Sequence, residues 1–392
     1  MLRAEPCVLL IADISGYTGY LAGVEIDHAH DILADLIGTV VTALRPGFTL
    51  AKLEGDAAFC WAPAETDAEG TPAVDGSQLL DTIEHCYFGF RRRRRDVRQA
   101  TSCECNACLR IPDLNLKFVA HLGPVLRQQV AGSEELLGSD VVLVHRLLKN
   151  GIVAATGIEA YTALSEPLML RSGLLPEELG MRRHSEQYEH LGTVGLWVHD
   201  LEARWQVEDT RQRVFVSAER AALELVDEIA APPQVIWEYI TQPGRRLRWQ
   251  ANLGVTGLDQ QPAAGGRRGV GMTNHCLHGP DVQIEQILDW RPFDYFTDQN
   301  RIPGVPTFLS TFELEPTTTG TRVAMRFAPA DEADRELLMR IGGPLRERLV
   351  AAAADLKAFA AAEAAQLEAE RAAEPALPQA SPNGVLAGLE PA

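Results

Sequence analysis

Two aspartates stand where the chain switches from apolar to polar. Asp13 follows the run Cys7 to Ala12, and Asp56 closes Glu54-Gly55-Asp56 between two β-compatible runs. Aspartate favours turns on its own account, but two hard carboxylates brought to one end of a sheet can also hold a divalent cation against a triphosphate. A second constellation is Cys103, Cys105 and Cys108, spaced C-x-C-x2-C. Its C-x2-C portion lets two thiolates face one tetrahedral ion such as Zn2+. Cys86 is the first choice for a fourth ligand, with His85 and His121 as alternatives, and three reduced loop cysteines are the competing reading. The run Arg91 to Arg95 points all round any helix that carries it, so it reads as solvated or acid-paired rather than as a nucleic-acid surface.

The elements that must position these groups alternate. Cys7 to Ala12 is a buried strand, and Leu33, Leu36, Ile37, Val40, Val41 and Leu44 recur at helical spacing. Phe48 to Leu53 and Ala57 to Ala62 read as a hairpin with Asp56 at its tip. A helix carrying the arginines, strands over 116–121 and 124–131, and a helix over 141–149 complete an α/β sandwich. A fresh strand begins at Ala222, Pro232-Pro233 opens a helix over 234–241, several strands follow up to Phe327, and an Ala-rich helix covers about 331–370. The expected organisation is a first domain over 1–204, a linker over 205–220, a second domain over 221–366 and a disordered tail over 367–392.

Composition bounds the function. At 392 residues the chain suits two domains, and its 46% hydrophobic content suits packed cores. A formal charge of −18 repels phosphate backbones and anionic lipid, which argues against nucleic acid and membrane as partners. No run approaches a membrane span and the opening residues lack the pattern of a secretion signal, so the expected location is the cytoplasm, where the seven cysteines would be reduced.

ADISGYTGYL and KLEGDAAFCWA resemble the two metal-binding segments of class III adenylate and guanylate cyclases, with FVAHLGPV and LLGSDVVLVHRLLKN extending the resemblance over about 7–201. The resemblance implies a ferredoxin-like α/β cyclase homology domain in which Asp13 and Asp56 bind Mg2+ or Mn2+ with help from the Ile14 carbonyl, and Lys52 reads the base of a nucleoside triphosphate. It also implies a homodimer, since these cyclases build each active site between two subunits. The chain departs from the pattern at Leu143 and Leu147, which fall where the family has its transition-state asparagine and arginine, and at Leu136, where it has a second base-reading residue. Arg146 is the candidate substitute for the arginine.

LELVDEIAAPPQVIWEYITQPGRRLRWQ resembles the opening of the polyketide-cyclase and START-like superfamily, SRPBCC, and the segment Trp290 to Phe293 resembles its Trp-Arg-Pro-Phe turn. That implies an α+β helix-grip domain around an apolar cavity, with Trp237, Tyr239, Trp249 and His275 as candidate lining for a hydrophobic small molecule. Core packing is the competing reading for each of the four. The leading expectation is a sensor or regulator with a divergent, non-cyclising nucleotide-binding domain. The alternatives are an active adenylate cyclase tuned by the second domain, and a polyketide cyclase or dehydratase-like enzyme of the second domain.

Overall fold

Every residue from Cys7 to Ala12 is buried in strand β1 (Glu5–Ser15) because both faces of its sheet are covered. The computed structural model describes residues 4–17, 20, 26–45, 47–66, 72–100, 106–130 and 133–371. Two compact units divide between Thr210 and Arg211. The tail expected from 367 is helical as far as Arg371, and its remainder lies outside the described residues.

After β1 the first unit runs through α1 (Ile26–Leu44), β2 (Thr49–Glu54), β3 (Ala57–Pro63), the short pair β4 (Glu65–Thr66) and β5 (Pro72–Ala73), and α2 (Gly76–Ala100). Then come α3 (Asn106–Leu109), β6 (Asn115–Val130), β7 (Ser133–Leu137), α4 (Ser139–Leu147), α5 (Ile152–Thr156), β8 (Tyr161–Ser165), α6 (Glu166–Met169), β9 (Arg182–Tyr188), β10 (Gly192–Asp200) and α7 (Leu201–Thr210). The strand order is β2-β3-β1-β6-β8-β10-β9, with β7 paired to the far end of β6. β6 and β8 are parallel and the other neighbours antiparallel.

The period-2 alternation of β1 sends Val8, Leu10, Ala12 and Ile14 to the core shared with α1 and α2, and Cys7, Leu9 and Ile11 to a second core containing Val144 and Leu147 of α4. The two strands expected over 116–121 and 124–131 are one, β6, because Gly123-Pro124 continues the ladder opposite Cys7 and Pro6. The arginine run is absorbed locally. Arg91 pairs with Glu202, Arg93 grips Asp35 through 2.7 and 2.8 Å bonds, Arg94 donates to Leu114 O and Arg95 pairs with Asp96. Beside them Glu84, buried on α2, accepts from His199 Nε2 at 2.8 Å and Arg204 Nε at 3.1 Å, tying α2 to β10 and α7.

The second unit comprises β11 (Leu223–Ile229), α8 (Pro233–Thr241), α9 (Pro243–Gln250), β12 (Gly257–Gln261), β13 (Thr273–His278), β14 (Asp281–Arg291), β15 (Tyr295–Arg301), β16 (Phe308–Thr317), β17 (Gly320–Pro329) and α10 (Arg335–Arg371). All neighbours in its sheet, ordered β11-β17-β16-β15-β14-β13-β12, are antiparallel. Pro233 at the first position of α8 costs no intrahelical bond, which is why a proline pair can open a helix. α10 buries Ala352, Ala353, Leu356, Ala360 and Ala364 in the core that also holds α8 and the sheet's inner face.

The expected linker over 205–220 is not a free tether. Residues 205–210 complete α7, and the next segment covers the outer face of the second sheet. There Val214 N donates to Asp289 Oδ2 at 2.9 Å, Val216 N to Thr311 Oγ1 at 3.0 Å, and Phe215 packs edge-on against Tyr295. Buried Asp289 needs these partners, since an unpaired carboxylate there would be strongly unfavourable.

Candidate functional site

The hairpin β2–β3 turns on Gly55 and Asp56, and Gly55 takes φ +70°, open to glycine at little cost. Antiparallel pairing of β1 with β3 sets Asp13 opposite Ala57, and Ile14 N donates to Asp56 O at 3.1 Å. Asp13 and Asp56 therefore share one sheet end, as the sequence reading required. Burial pushes the Asp56 carboxyl above its ordinary value and the charge of Asp13 adds to that, while Lys117 acts the other way. Lys117 went unnoticed in the sequence. It lies on β6 directly opposite Asp13, with Nζ 3.0 Å from Asp13 Oδ2. An all-oxygen pair in which one acid is held up by its neighbour fits a hard cation, and Lys117 already supplies one positive charge to it.

Lys52 is exposed on β2, its Nζ 2.8 Å from Glu54 Oε1. Glu54 also meets His145 Nε2 at 3.1 Å, and His145 lies edge-on to Phe59 with 4.7 Å between ring centres. Burial works to raise the Glu54 carboxyl, but the Lys52 hydrogen bond and the charges of His145 and Lys52 outweigh it and hold it below the usual range. On α4, Leu147 is buried and Leu143 packs against the same core, so neither position offers a polar group, and Leu136 is likewise buried. Arg146 is exposed.

α4 is seated by a second polar group. His121 Nε2 lies 2.9 Å from Asp140 Oδ1 and its Nδ1 lies 2.8 Å from Ser165 Oγ. The residue types suggest a nucleophilic triad, but Ser165 is completely buried and can meet no substrate. The set anchors the helix start against β6, where Asp140 fills the space a side chain at Gly123 would need.

Among the proposed zinc ligands, Cys103 and Cys105 lie outside the described residues. Cys108 is buried in the core. Cys86 is buried on α2, its thiol donates to Val40 O at 3.6 Å, and burial pushes its pKa well above the ordinary value. In this setting Cys86 is held as a neutral thiol, and a zinc ion binding it would have to displace that proton. His121 is committed to Asp140 and Ser165, and burial lowers the His85 imidazole to about 4. No group of three His, Cys, Asp or Glu suited to a metal occurs among the described residues.

In the second unit Trp237 is wholly buried on α8, edge-on to Trp290 at 4.8 Å and to Phe293 and Phe296 at 5.9 Å each. Phe293, in the turn between β14 and β15, holds φ +68°, a strained value for a bulky side chain that its packing on Trp237 offsets. Tyr239 stacks on Phe359 of α10 and donates to Glu363 Oε2 at 2.9 Å, while Trp249 Nε1 donates to Tyr239 O at 2.8 Å. These three residues are packed into the unit's core. His275 lies on the opposite side of β13 from buried Asn274 and Cys276, so it does not line the interior.

The interior is not simply apolar. Arg246 of α9 donates to both oxygens of Glu285, at 2.8 and 3.0 Å, and Asn274, Cys276 and Gln283 donate to the same carboxylate. Asn300 donates to Asp298 Oδ1 at 2.7 Å and to Ser310 Oγ at 3.0 Å, and Ser310 also bonds Asp298. Arg246 holds the Glu285 carboxyl below its ordinary range against the effect of burial, whereas burial and the Glu285 charge push Asp298 up to about 7. The sequence hid this cluster because alternation along β14 groups Glu285 with Ile287 on one face without telling which face is inward. In fact Ile284 is exposed, Glu285 and Ile287 are buried, and the register shifts between Ile287 and Asp289.

Residues 220–370 match the family described as polyketide cyclase / dehydrase and lipid transport, and residues 33–156 match one described as protein of unknown function, DUF2652. The second unit is a helix-grip domain of the former kind, with its large antiparallel sheet and long last helix. An uncharacterized protein of Mycobacterium tuberculosis, Rv2561/Rv2562, is 42% identical over 120 residues, 31% of this chain and 52% of the relative, so the match spans about half that relative's length. Solved nucleotidyl cyclases align with about half of this chain at low identity. The guanylyl cyclase Cya2 aligns at 14% identity over 50% of this chain and 92% of its own, TM-score 0.39. The adenylyl cyclase CyaB from P. aeruginosa aligns at 14% identity over 51% and 96%, TM-score 0.38. Among the described residues no helix is long and apolar enough to cross a membrane.

Proposed function

We propose that this chain is a two-unit cytoplasmic regulator. Its first unit holds a nucleoside triphosphate through Mg2+ or Mn2+ without cyclising it, and its second takes up a hydrophobic small molecule that modulates the first. The observation that supports nucleotide binding most is the placing of Asp13 and Asp56 at one sheet end, with the Asp56 acid raised by burial and by Asp13. A cation there would be held by the two carboxylates and the Ile14 carbonyl and would neutralise phosphate oxygens. Lys52, exposed beside the hairpin, would exchange Glu54 for the base.

The case against cyclisation rests on α4. Removing one preorganised donor to a developing charge costs about 10²- to 10³-fold in rate, and both Leu143 and Leu147 are apolar. The test is calorimetry with ATP or GTP and Mn2+, alongside mass spectrometry for cyclic product. Binding that is lost in Asp56→Ala, with no cyclic nucleotide formed, is the expected result. Cyclic product from the native chain that disappears in Asp56→Ala would overturn it and establish an active cyclase. A homodimer through the first unit belongs to the same reading, and sedimentation showing monomer at every concentration would refute it.

A further inference from the structure

On β2 a donor and an acceptor of opposite charge stand side by side. Lys52 lies opposite Phe59 and Glu54 opposite Ala57 in the β2–β3 ladder, so both side chains leave one face of the sheet. Phe59 and Ala57 place that face against α4. The row through Ala57 continues to Asp13 of β1 and on to Lys117 of β6. Glu54 and Asp13 therefore share a face two strand spacings apart, about 10 Å. A nucleotide whose triphosphate is held at Asp13 and Asp56 can reach Glu54 with its base.

One oxygen of Glu54 is taken and the other is not. Lys52 Nζ at 2.8 Å and His145 Nε2 at 3.1 Å both address Oε1. His145 is itself fixed by Nδ1, 2.7 Å from Val141 O, so it keeps Oε1 turned toward α4 even when Lys52 lets go. Burial works to raise the Glu54 acid, but Lys52 and His145 outweigh it and keep the group a pure acceptor. Among the described residues no hydrogen-bond donor lies on Oε2, and the side chain is 29% exposed. Leu136, on the β7 strand packed beside β2, is buried and apolar and cannot share the task.

The two purines ask for different partners. Adenine presents one acceptor, N1, beside one donor group, the 6-amino. Guanine presents O6 beside two neighbouring donors, N1–H and the 2-amino group, which a carboxylate meets with both of its oxygens. With Oε1 committed to α4, a guanine donor would be left unmet, and an unmet polar group is costly.

We propose that Lys52 and Glu54 read the base together, the ammonium donating to adenine N1 and Glu54 Oε2 accepting from the 6-amino group, so that the site selects ATP over GTP. The inference rests on the reading of the first unit as a nucleotide binder and adds the residue that chooses the base.

Calorimetry on the full chain with Mn2+ tests it with ATP, GTP and purine riboside triphosphate, which keeps N1 but lacks the 6-amino group. ATP should bind about tenfold tighter than purine riboside triphosphate, the loss expected for one hydrogen bond to a charged group. GTP should also bind more weakly than ATP. In Glu54→Leu, ATP should fall to the level of purine riboside triphosphate, whose own affinity is kept and so controls for folding. The same ratio of ATP to purine riboside triphosphate in the native chain and in Glu54→Leu would overturn the role of Glu54 and leave the nucleotide reading standing. Equal loss of all three ligands in the variant would do the same. Tighter binding of GTP than of ATP would overturn the choice of adenine, and no binding by any of the three would overturn both this inference and the nucleotide reading.

Discussion

Replacing Lys117 by methionine isolates the charge that the protein itself places against the carboxylate pair. The ammonium lies 3.0 Å from Asp13 Oδ2, with both side chains about one-fifth exposed. At that separation and an effective dielectric of about 20 the gross attraction is ~5 kcal/mol. Solvent screening and the desolvation of both ions leave a net of about 1 to 2 kcal/mol. A divalent ion binding Asp13 and Asp56 must displace this ammonium or bear its repulsion. Lys117→Met, similar in length and uncharged, should therefore tighten Mn2+ by about tenfold, since each 1.4 kcal/mol is a factor of ten. The assay is a Mn2+ titration at low ionic strength followed by the resonance of free Mn2+, with a thermal melt to confirm folding. Equal or weaker affinity in the variant would refute the reasoning, as would no binding by either protein.

Other expectations follow from the same geometry. Asp298 holds its proton to about 7 in the fold against 3.8 for an ordinary aspartate, so its contribution to stability is complete below about 4 and lost as pH rises toward 7. Asp298→Asn should therefore flatten the pH dependence of the melting temperature across that window, and an unchanged profile would contradict the assignment. A Cβ on Gly123 would lie 2.5 Å from Asp140 Oδ1, so Gly123→Ala should displace α4 and cost about 1 to 3 kcal/mol in denaturant melts. Glu84→Ala strands His199 and Arg204 and should cost about 3 kcal/mol, while Glu84→Gln should recover part of that.

Local chemistry made the scaffold legible in the sequence. The apolar run of β1, the Glu54-Gly55-Asp56 turn and the proline pair before α8 each have a local cause, and each marks a real element. Asp13 and Asp56 were legible for the same reason, since both lie at element ends. Lys117 was not, because its partnership with Asp13 depends on the β1–β6 register, which joins residues about a hundred positions apart. The interior of the second unit was misread through its phase. Period-2 alternation tells which residues share a face but not which face is inward, and the irregularity in β14 reverses the phase midway. His275 was expected to line the interior, whereas Asn274 and Cys276 are the buried residues of β13. The expected linker over 205–220 spans the division between the units, but its hydrogen bonds were not legible, because a polar segment looks the same in sequence whether it is free or caps the back of a sheet through its amides.

The two units meet one electrostatic problem in two ways. Each brings together two carboxylates and one cationic side chain: Asp13, Asp56 and Lys117 in the first, Glu285, Asp298 and Arg246 in the second. Formally each set lacks one positive charge. In the first, the groups keep some contact with solvent, so a mobile metal ion can reach the carboxylates and supply the missing charge. In the second, Glu285, Asp298 and Arg246 are all at most 5% exposed, so a proton on Asp298 supplies it instead. Burial thus decides whether a metal ion or a proton can supply the missing charge. Mn2+ should therefore bind the native chain and not Asp56→Ala, whereas the melting temperature should fall in both alike as pH rises toward 7 and Asp298 loses its proton.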